Sequence, residues 1–272
     1  NDFGKLKISF LDFLGKLPFY GSVVACVDDP VTRDLIPSFK RRTITYGMSD
    51  DADFRAKDIN PTGLSCMFTV ERPNGTPDLE VELAMPGRHN ILNALATIAV
   101  ASDEKISDKR ILAALKNFSG VGRRFSVKSG CMVSGKAVTL VDDYGHHPTE
   151  VMVVVNTVRE VWPSSRLVMV YQPHRYTRTA ALFDDFVDVL SSVDELILLD
   201  VYSAGEMKIE GASSSDLFKA LKAKSKSIPR HAKNIEDSIS ILHKISCPGD
   251  VVVVQGAGNV NRVSEALTEG LA

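Results

Sequence analysis

Two apolar runs each end abruptly in a polar cluster, and the segment between them repeats its apolar residues at a helical spacing. Few folds accept that order. Residues 137–141 (AVTLV) and 166–171 (RLVMVY) read as strands. Between them, Pro148–Val161 carries Val151, Val154, Val155 and Val158 on one helical face. Strand, helix and strand form a βαβ unit, so the two strands are expected to be parallel neighbours joined by a right-handed crossover. Asp142-Asp143-Tyr144-Gly145-His146-His147-Pro148-Thr149-Glu150 then follows the first strand, and Gln172-Pro173-His174-Arg175-Tyr176-Thr177-Arg178 follows the second. Both clusters fall at the carboxyl edge of one sheet, where open α/β folds bind ligands.

The alternation continues to the C-terminus. Strands and helices follow in turn at 137–142, 148–161, 166–171, 180–192, 195–200, 213–223, 234–245 and 250–254. A short strand near Ser227 and a closing helix from Asn259 complete the pattern, which predicts a Rossmann-like, doubly wound, mostly parallel sheet. The upstream part is mixed α/β. Residues 3–17 spell an amphipathic helix with Phe3, Leu6, Phe10, Phe13, Leu14 and Leu17 on one broad face. A strand at 23–27 ends at Asp28-Asp29-Pro30, and 42–46 alternates weakly. Segments 66–70 and 79–83 form a hairpin about the turn signal Asn74-Gly75. Gly87-Arg88-His89-Asn90 opens an Ala-rich helix, and 107–117 makes a second. Gly120-Val121-Gly122-Arg123-Arg124-Phe125 separates the two patterns, giving domains 1–124 and 125–272. A chain of 272 residues can bury two cores of that size.

Composition excludes several function classes. A net charge of −2 gives no electrostatic reason for a nucleic-acid or membrane partner. No apolar run reaches the roughly 20 residues of a membrane span, and the first residues lack a secretory signal pattern. Cys26, Cys66, Cys131 and Cys247 are scattered without a Cys-x-x-Cys pair, which argues against structural zinc and fits a reduced cytoplasm.

The clusters have specific chemical uses. A carboxylate at a strand's end, as Asp143 is, can accept hydrogen bonds from ribose hydroxyls. Pro148, Thr149 and Glu150 are explained by a capped helix start, which leaves Asp143 and His146 as functional candidates. Adjacent histidines rarely reach one ion together, so His146, His147 and Glu150 make a poor zinc site. Arg175 and Arg178, with His174, could clamp a carboxylate at a helix start; the same residues could equally form a solvated basic turn paired with Asp184 or Asp185. Asn90 and Asn93 share a helix face and could read a purine edge, although capping is the commoner use. Gln255-Gly256-Ala257-Gly258-Asn259 departs from a dinucleotide fingerprint at Asn261 and is read as a tight turn. Tyr202, Gly205 and Glu206 lie on the same sheet edge without a distinct signal. No Gly-x-x-x-x-Gly-Lys-[Ser/Thr] phosphate loop occurs.

With Gly87-Arg88-His89-Asn90-x-x-Asn93-Ala94, Gly122-Arg123-Arg124-Phe125 and the two clusters in view, the chain resembles the bacterial Mur ligases, and among them the alanine-adding type. Leu17-Pro18-Phe19-Tyr20-Gly21 and Cys26-Val27-Asp28-Asp29-Pro30 add to the likeness. The resemblance implies that 1–124 is the latter part of a central ATPase domain and 125–272 a C-terminal Rossmann-like domain, with the UDP-binding domain and the phosphate-loop part lying outside the chain. It implies a C–N bond-forming ligase of peptidoglycan precursor synthesis that uses ATP and magnesium to join L-alanine to the carboxylate of UDP-N-acetylmuramate. Asn93, with Asn90, would hold adenine; Arg124 and Asp143 would contact the nucleotide. His174, Arg175 and Arg178 would receive L-alanine, with Tyr144 lining the pocket and His146 near the reacting phosphates. Magnesium ligands are expected upstream of the chain. The alternatives are a recycling ligase that adds a tripeptide and a non-catalytic nucleotide- or amino-acid-binding module.

Overall fold

A computed structural model describes residues 3–225 and 227–269. The chain divides into two compact units, Asn1–Ser119 and Gly120–Ala272. In the first unit the order is α1 (Phe3–Gly15), β1 (Ser22–Cys26), α2 (Pro30–Leu35), a short 3-10 turn, β2 (Arg42–Gly47), β3 (Phe54–Thr62), β4 (Ser65–Glu71), β5 (Leu79–Leu83), α3 (Arg88–Asp103) and α4 (Asp108–Asn117). The five strands lie in sequence order, β1 to β3 parallel and β3 to β5 antiparallel. Alternation along β5 buries Leu79, Val81 and Leu83 against Ile91, Ala94, Leu95, Ile98 and Ala99, which helical periodicity places on one side of α3. The hairpin forms as expected, pairing Cys66 with Leu83 and Val70 with Leu79. The strand β3 has no clear signal in the sequence because its second half is exposed and Asp58, at φ 51°, breaks its register at a bulge. The expected burial of the α1 face is not seen. Phe3, Leu6, Phe10 and Phe13 stay exposed, while Leu14 joins Val23 and Ala25 in a small cluster against which Leu17 packs.

The second unit runs β6 (Ser126–Val133), β7 (Lys136–Asp143), α5 (Pro148–Val161), β8 (Leu167–Tyr171), α6 (Tyr176–Ala181), α7 (Phe183–Leu190), β9 (Glu195–Leu199), α8 (Ser214–Lys224), β10 (Arg230–Ala232), α9 (Ile235–Ile245), β11 (Val251–Gln255) and α10 (Asn261–Glu269). Strand order is β10-β9-β8-β11-β7-β6, parallel throughout except for β6, which forms a hairpin with β7. The two strands of the central βαβ unit are therefore not neighbours, contrary to the expectation from sequence: β11 lies between them. Its four consecutive valines explain the placement, since a central parallel strand is covered on both sides. Val251 and Val253 pack with α5, α7 and α8, while Val252 and Val254 pack with α9 and α10. The single helix expected at 180–192 is two, α6 and α7, broken at Leu182 with φ −126°. The turn at 120–124 goes with this unit, because Phe125 is buried in its core and stacks on Trp162 at 6.4 Å. Among the described residues, no helix is long and apolar enough to cross a membrane.

Candidate functional site

The carboxyl ends of β7, β11, β8 and β9 carry the polar clusters to one edge of the second sheet. Just beyond β8 and β9 the two chains continue to pair: Tyr202 donates its N–H to the Pro173 carbonyl at 2.8 Å, and Arg175 donates to Tyr202 at 2.8 Å. This brings four rings into a row. Tyr144 meets His146 edge-on at 5.5 Å, His146 lies 5.6 Å from His174, and His174 stacks on Tyr202 at 5.5 Å and 9°. Gly258 permits the last contact, since a β-carbon there would run into the Gln172 side chain and the Tyr202 ring.

The two arginines differ. Arg175, at φ 71°, pairs with Glu206 at 3.2 Å, not with Asp184 or Asp185 as a solvated basic turn would have it. Arg178 points back one helical turn. Its guanidinium donates to the His174 carbonyl at 3.1 Å and meets Nδ1 of the same residue at 3.2 Å. Among the described residues no carboxylate pairs with Arg178. It is a held cation with donors to spare.

Burial first, and then the charges of Arg178, His146 and Arg175, hold His174 below its usual 6.5, with Glu206 opposing. The ring is therefore neutral at neutral pH, and Nδ1 accepts from Arg178. A histidine so depressed contributes stability that is present above 6.5 and is lost as the pH falls through the lowered value. In an enzyme that uses this edge for an amino acid, the amino-acid KM should rise only as the pH drops below 6.5. His174→Asn, which keeps an acceptor beside Arg178, should flatten that acid limb. An unaltered limb in the variant would assign the titration elsewhere.

The β7 loop is organised by Asp143. Its carboxylate accepts from the N–H groups of Phe125 at 2.9 Å and Gly145 at 2.7 Å, and from the Gln255 amide at 2.9 Å. Three of a carboxylate's roughly four acceptor positions are thus used internally. His147 caps α5 by accepting from Thr149 at 3.2 Å, while Glu150 takes the N–H groups of His146 and His147 at 2.7 and 2.9 Å. Burial works to raise the Glu150 pKa, but those N–H bonds outweigh it and hold the carboxyl below its ordinary value. Asp142 is shifted upward by burial, which the neighbouring Arg123 only partly offsets. Arg123, at φ 59°, ties these pieces together: it reaches Asp142 at 3.4 Å and the Gly256 carbonyl at 2.6 Å, and lies 5.2 Å over the Tyr144 ring. Arg124, which the resemblance assigns to the nucleotide, is exposed, whereas Arg123 is half-buried. The left-handed backbone needed to turn Arg123 inward has no local sequence signal.

The edge therefore brings together Tyr144, His146, His174, Arg175 and Arg178, with Asp143 supporting them. Asn90 and Asn93 lie on α3 of the first unit and have different surroundings from each other. Asn90 is buried and donates to the Pro86 carbonyl at 2.7 Å, whereas Asn93 is exposed and its side chain remains open to a ligand. Among the described residues, no group of three or more His, Cys, Asp or Glu side chains could hold a metal ion.

Two family descriptions match this sequence. Residues 5–101 match the Mur ligase middle domain, and residues 123–258 match the Mur ligase, glutamate ligase domain. The chain belongs to the Mur ligase family. The polar edge lies within the second match and Asn90 and Asn93 within the first. Among solved Mur ligase structures, the chain is similar to the UDP-N-acetylmuramate-alanine ligase MurC of Thermotoga maritima, at 24% identity and TM-score 0.74, covering 100% of this chain and 55% of that one. It is also similar to a murein peptide ligase of Psychrobacter arcticus, at 20% identity and TM-score 0.68, over 98% of this chain and 54% of that one. A third is the MurF ligase of Thermotoga maritima in complex with ADP, at 18% identity and TM-score 0.67, over 93% and 54%. At such identities the likeness is one of fold, and the chain spans about half the length of these relatives.

Proposed function

We propose that this chain supplies the amino-acid-accepting C-terminal domain, with the latter part of the ATPase domain, of a ligase that joins L-alanine to the carboxylate of UDP-N-acetylmuramate in peptidoglycan precursor synthesis. The observation that carries the reading is Arg178, held by His174 and without a carboxylate partner among the described residues. A guanidinium fixed in this way is matched to the carboxylate of a small amino acid. ATP phosphorylates the muramic acid carboxylate, giving an acyl phosphate and ADP. The amine of the acceptor then attacks the acyl carbon, the C–N bond forms, and phosphate leaves. The residues of this chain contribute by positioning and charge neutralisation. Arg178 orients the alanine carboxylate beside Arg175, which Glu206 already pairs, His174 fixes Arg178, and Tyr144 lines the pocket. His146 faces the reacting phosphates. On the first unit Asn93 holds adenine, with Asn90 setting the helix entry. On the second, Arg124 contacts the nucleotide, and Asp143 offers its remaining acceptor position to a ribose hydroxyl. Ligases of this kind use magnesium with ATP, and the setting is cytoplasmic.

An acceptor panel tests the reading. The complete protein that contains this chain should turn over with L-alanine and not with a peptidoglycan tripeptide; the reverse preference would make it a recycling ligase. Residues 1–272 alone should not hydrolyse ATP. Magnesium-dependent hydrolysis by that piece would contradict the assignment of the phosphate-gripping machinery to the rest of the protein.

A further inference from the structure

The partner of Arg175 organises more than one arginine. Residues 203–206 form a tight turn, with Ala204 at φ 50°, Gly205 at φ 86° and the Glu206 N–H donating to Ser203 at 3.0 Å. The turn directs the Glu206 carboxylate, only 19% exposed, onto the start of α6. There it accepts from the Thr177 N–H at 3.0 Å, the Thr177 hydroxyl at 2.8 Å and the Arg175 guanidinium at 3.2 Å. The Thr177 N–H, followed by the Thr177 hydroxyl and Arg175, holds this carboxyl below its ordinary value, so it is charged at neutral pH. Arg175 is thereby neutralised, and its left-handed backbone is fastened from two sides, by Glu206 and by the Tyr202 carbonyl. Thr177 directly precedes Arg178.

Resting on the acceptor-site reading above, we propose that Glu206 is a positioning and charge-selecting residue of that site. It fixes the segment carrying Arg178, and by occupying Arg175 it leaves Arg178 as the cation of this segment without a carboxylate partner among the described residues. Glu206 sets a negative charge on Arg175 and Thr177, the residues that lead into Arg178. A second carboxylate, in the side chain of an incoming amino acid, would find Arg175 taken and Glu206 repelling it. The site therefore takes α-amino acids with uncharged side chains and rejects dicarboxylic ones.

The test compares wild type, Glu206→Gln and Glu206→Ala in the complete protein, measuring amino-acid-dependent phosphate release with L-alanine and L-glutamate. Glu206→Gln keeps an acceptor oxygen toward Thr177 and removes the charge. Its glutamate-to-alanine ratio of kcat/KM should rise about tenfold or more. Glu206→Ala also removes the fastening, and its alanine KM should rise about tenfold while the ATP KM stays within about twofold. If the alanine variant does not fold, the glutamine variant carries the test. An unchanged ratio in Glu206→Gln, or alanine and ATP KM values moving together in Glu206→Ala, overturns the proposal and leaves the acceptor-site reading standing. Wild-type phosphate release that depends on no amino acid overturns both.

Discussion

Replacing Arg178 by alanine raises the amino-acid KM of the complete protein by about tenfold to a hundredfold, and leaves the ATP KM within about threefold. The magnitude follows from removing a charged, two-pronged hydrogen bond, of order 1.5–3 kcal/mol. The selectivity follows from position: the guanidinium is anchored to His174 and has no carboxylate partner among the described residues, so on the proposed reading its spare donors go to the amino acid. Arg178→Lys should recover only part of the loss, because an ammonium cannot reproduce the planar fork and cannot bridge His174 and a carboxylate in one geometry. Steady-state kinetics with each substrate varied in turn separates the two constants. Equal increases in both would move Arg178 out of the acceptor pocket.

Asp143→Asn should cost the second unit about 2–4 kcal/mol. Three donors converge on this carboxylate, from Phe125, Gly145 and Gln255. A carboxamide offers one oxygen and turns an NH2 toward the remaining donors, so at least one of them is left unsatisfied at about 1–3 kcal/mol, with repulsion added. The change is local to a point where three segments meet: the entry to β6, the loop after β7 and the end of β11. Trp162, the chain's single tryptophan, stacks on Phe125 and reports that region directly. Urea unfolding followed by its fluorescence should show a lower midpoint with an unchanged slope. A midpoint equal to wild type would mean that Asp143 is not needed to hold these segments, and would free it for a purely ligand-binding part.

How far the sequence could be read depends on whether each feature is local. The strands β7, β8, β9 and β11 and the helices α5, α8 and α9 announce themselves through apolar runs and helical spacing, and the structure has them near the expected positions. Strand order is different in kind. Nothing in Val251–Gln255 says which neighbours it takes, and its insertion between β7 and β8 is set by burial on both faces, a property of the whole sheet. β6 is missed because its half-exposed, bulged pairing interrupts alternation. The exposed face of α1 shows the opposite failure: the apolar pattern is present without burial in the described residues.

The site divides in the same way. His174 and Arg178 are four residues apart on one short turn, so their joint geometry is visible from spacing. Glu206 is 31 residues from its partner Arg175, and only the pairing of the loops after β8 and β9 brings the two together. Asn90 and Asn93 share a helix face, but spacing does not give depth: one is buried and bonded to the Pro86 carbonyl, and the other is exposed. Asp143 was legible as a carboxylate at a strand's end, and its three donors were not, because two of them come from distant segments.

The most direct test of the account is phosphate release by the complete protein supplied with ATP, magnesium and UDP-N-acetylmuramate, with and without L-alanine. The account predicts release that requires L-alanine and is lost in its absence. Release at the same rate without any amino acid would contradict it, and would leave His174, Arg175 and Arg178 as a polar sheet edge with another purpose.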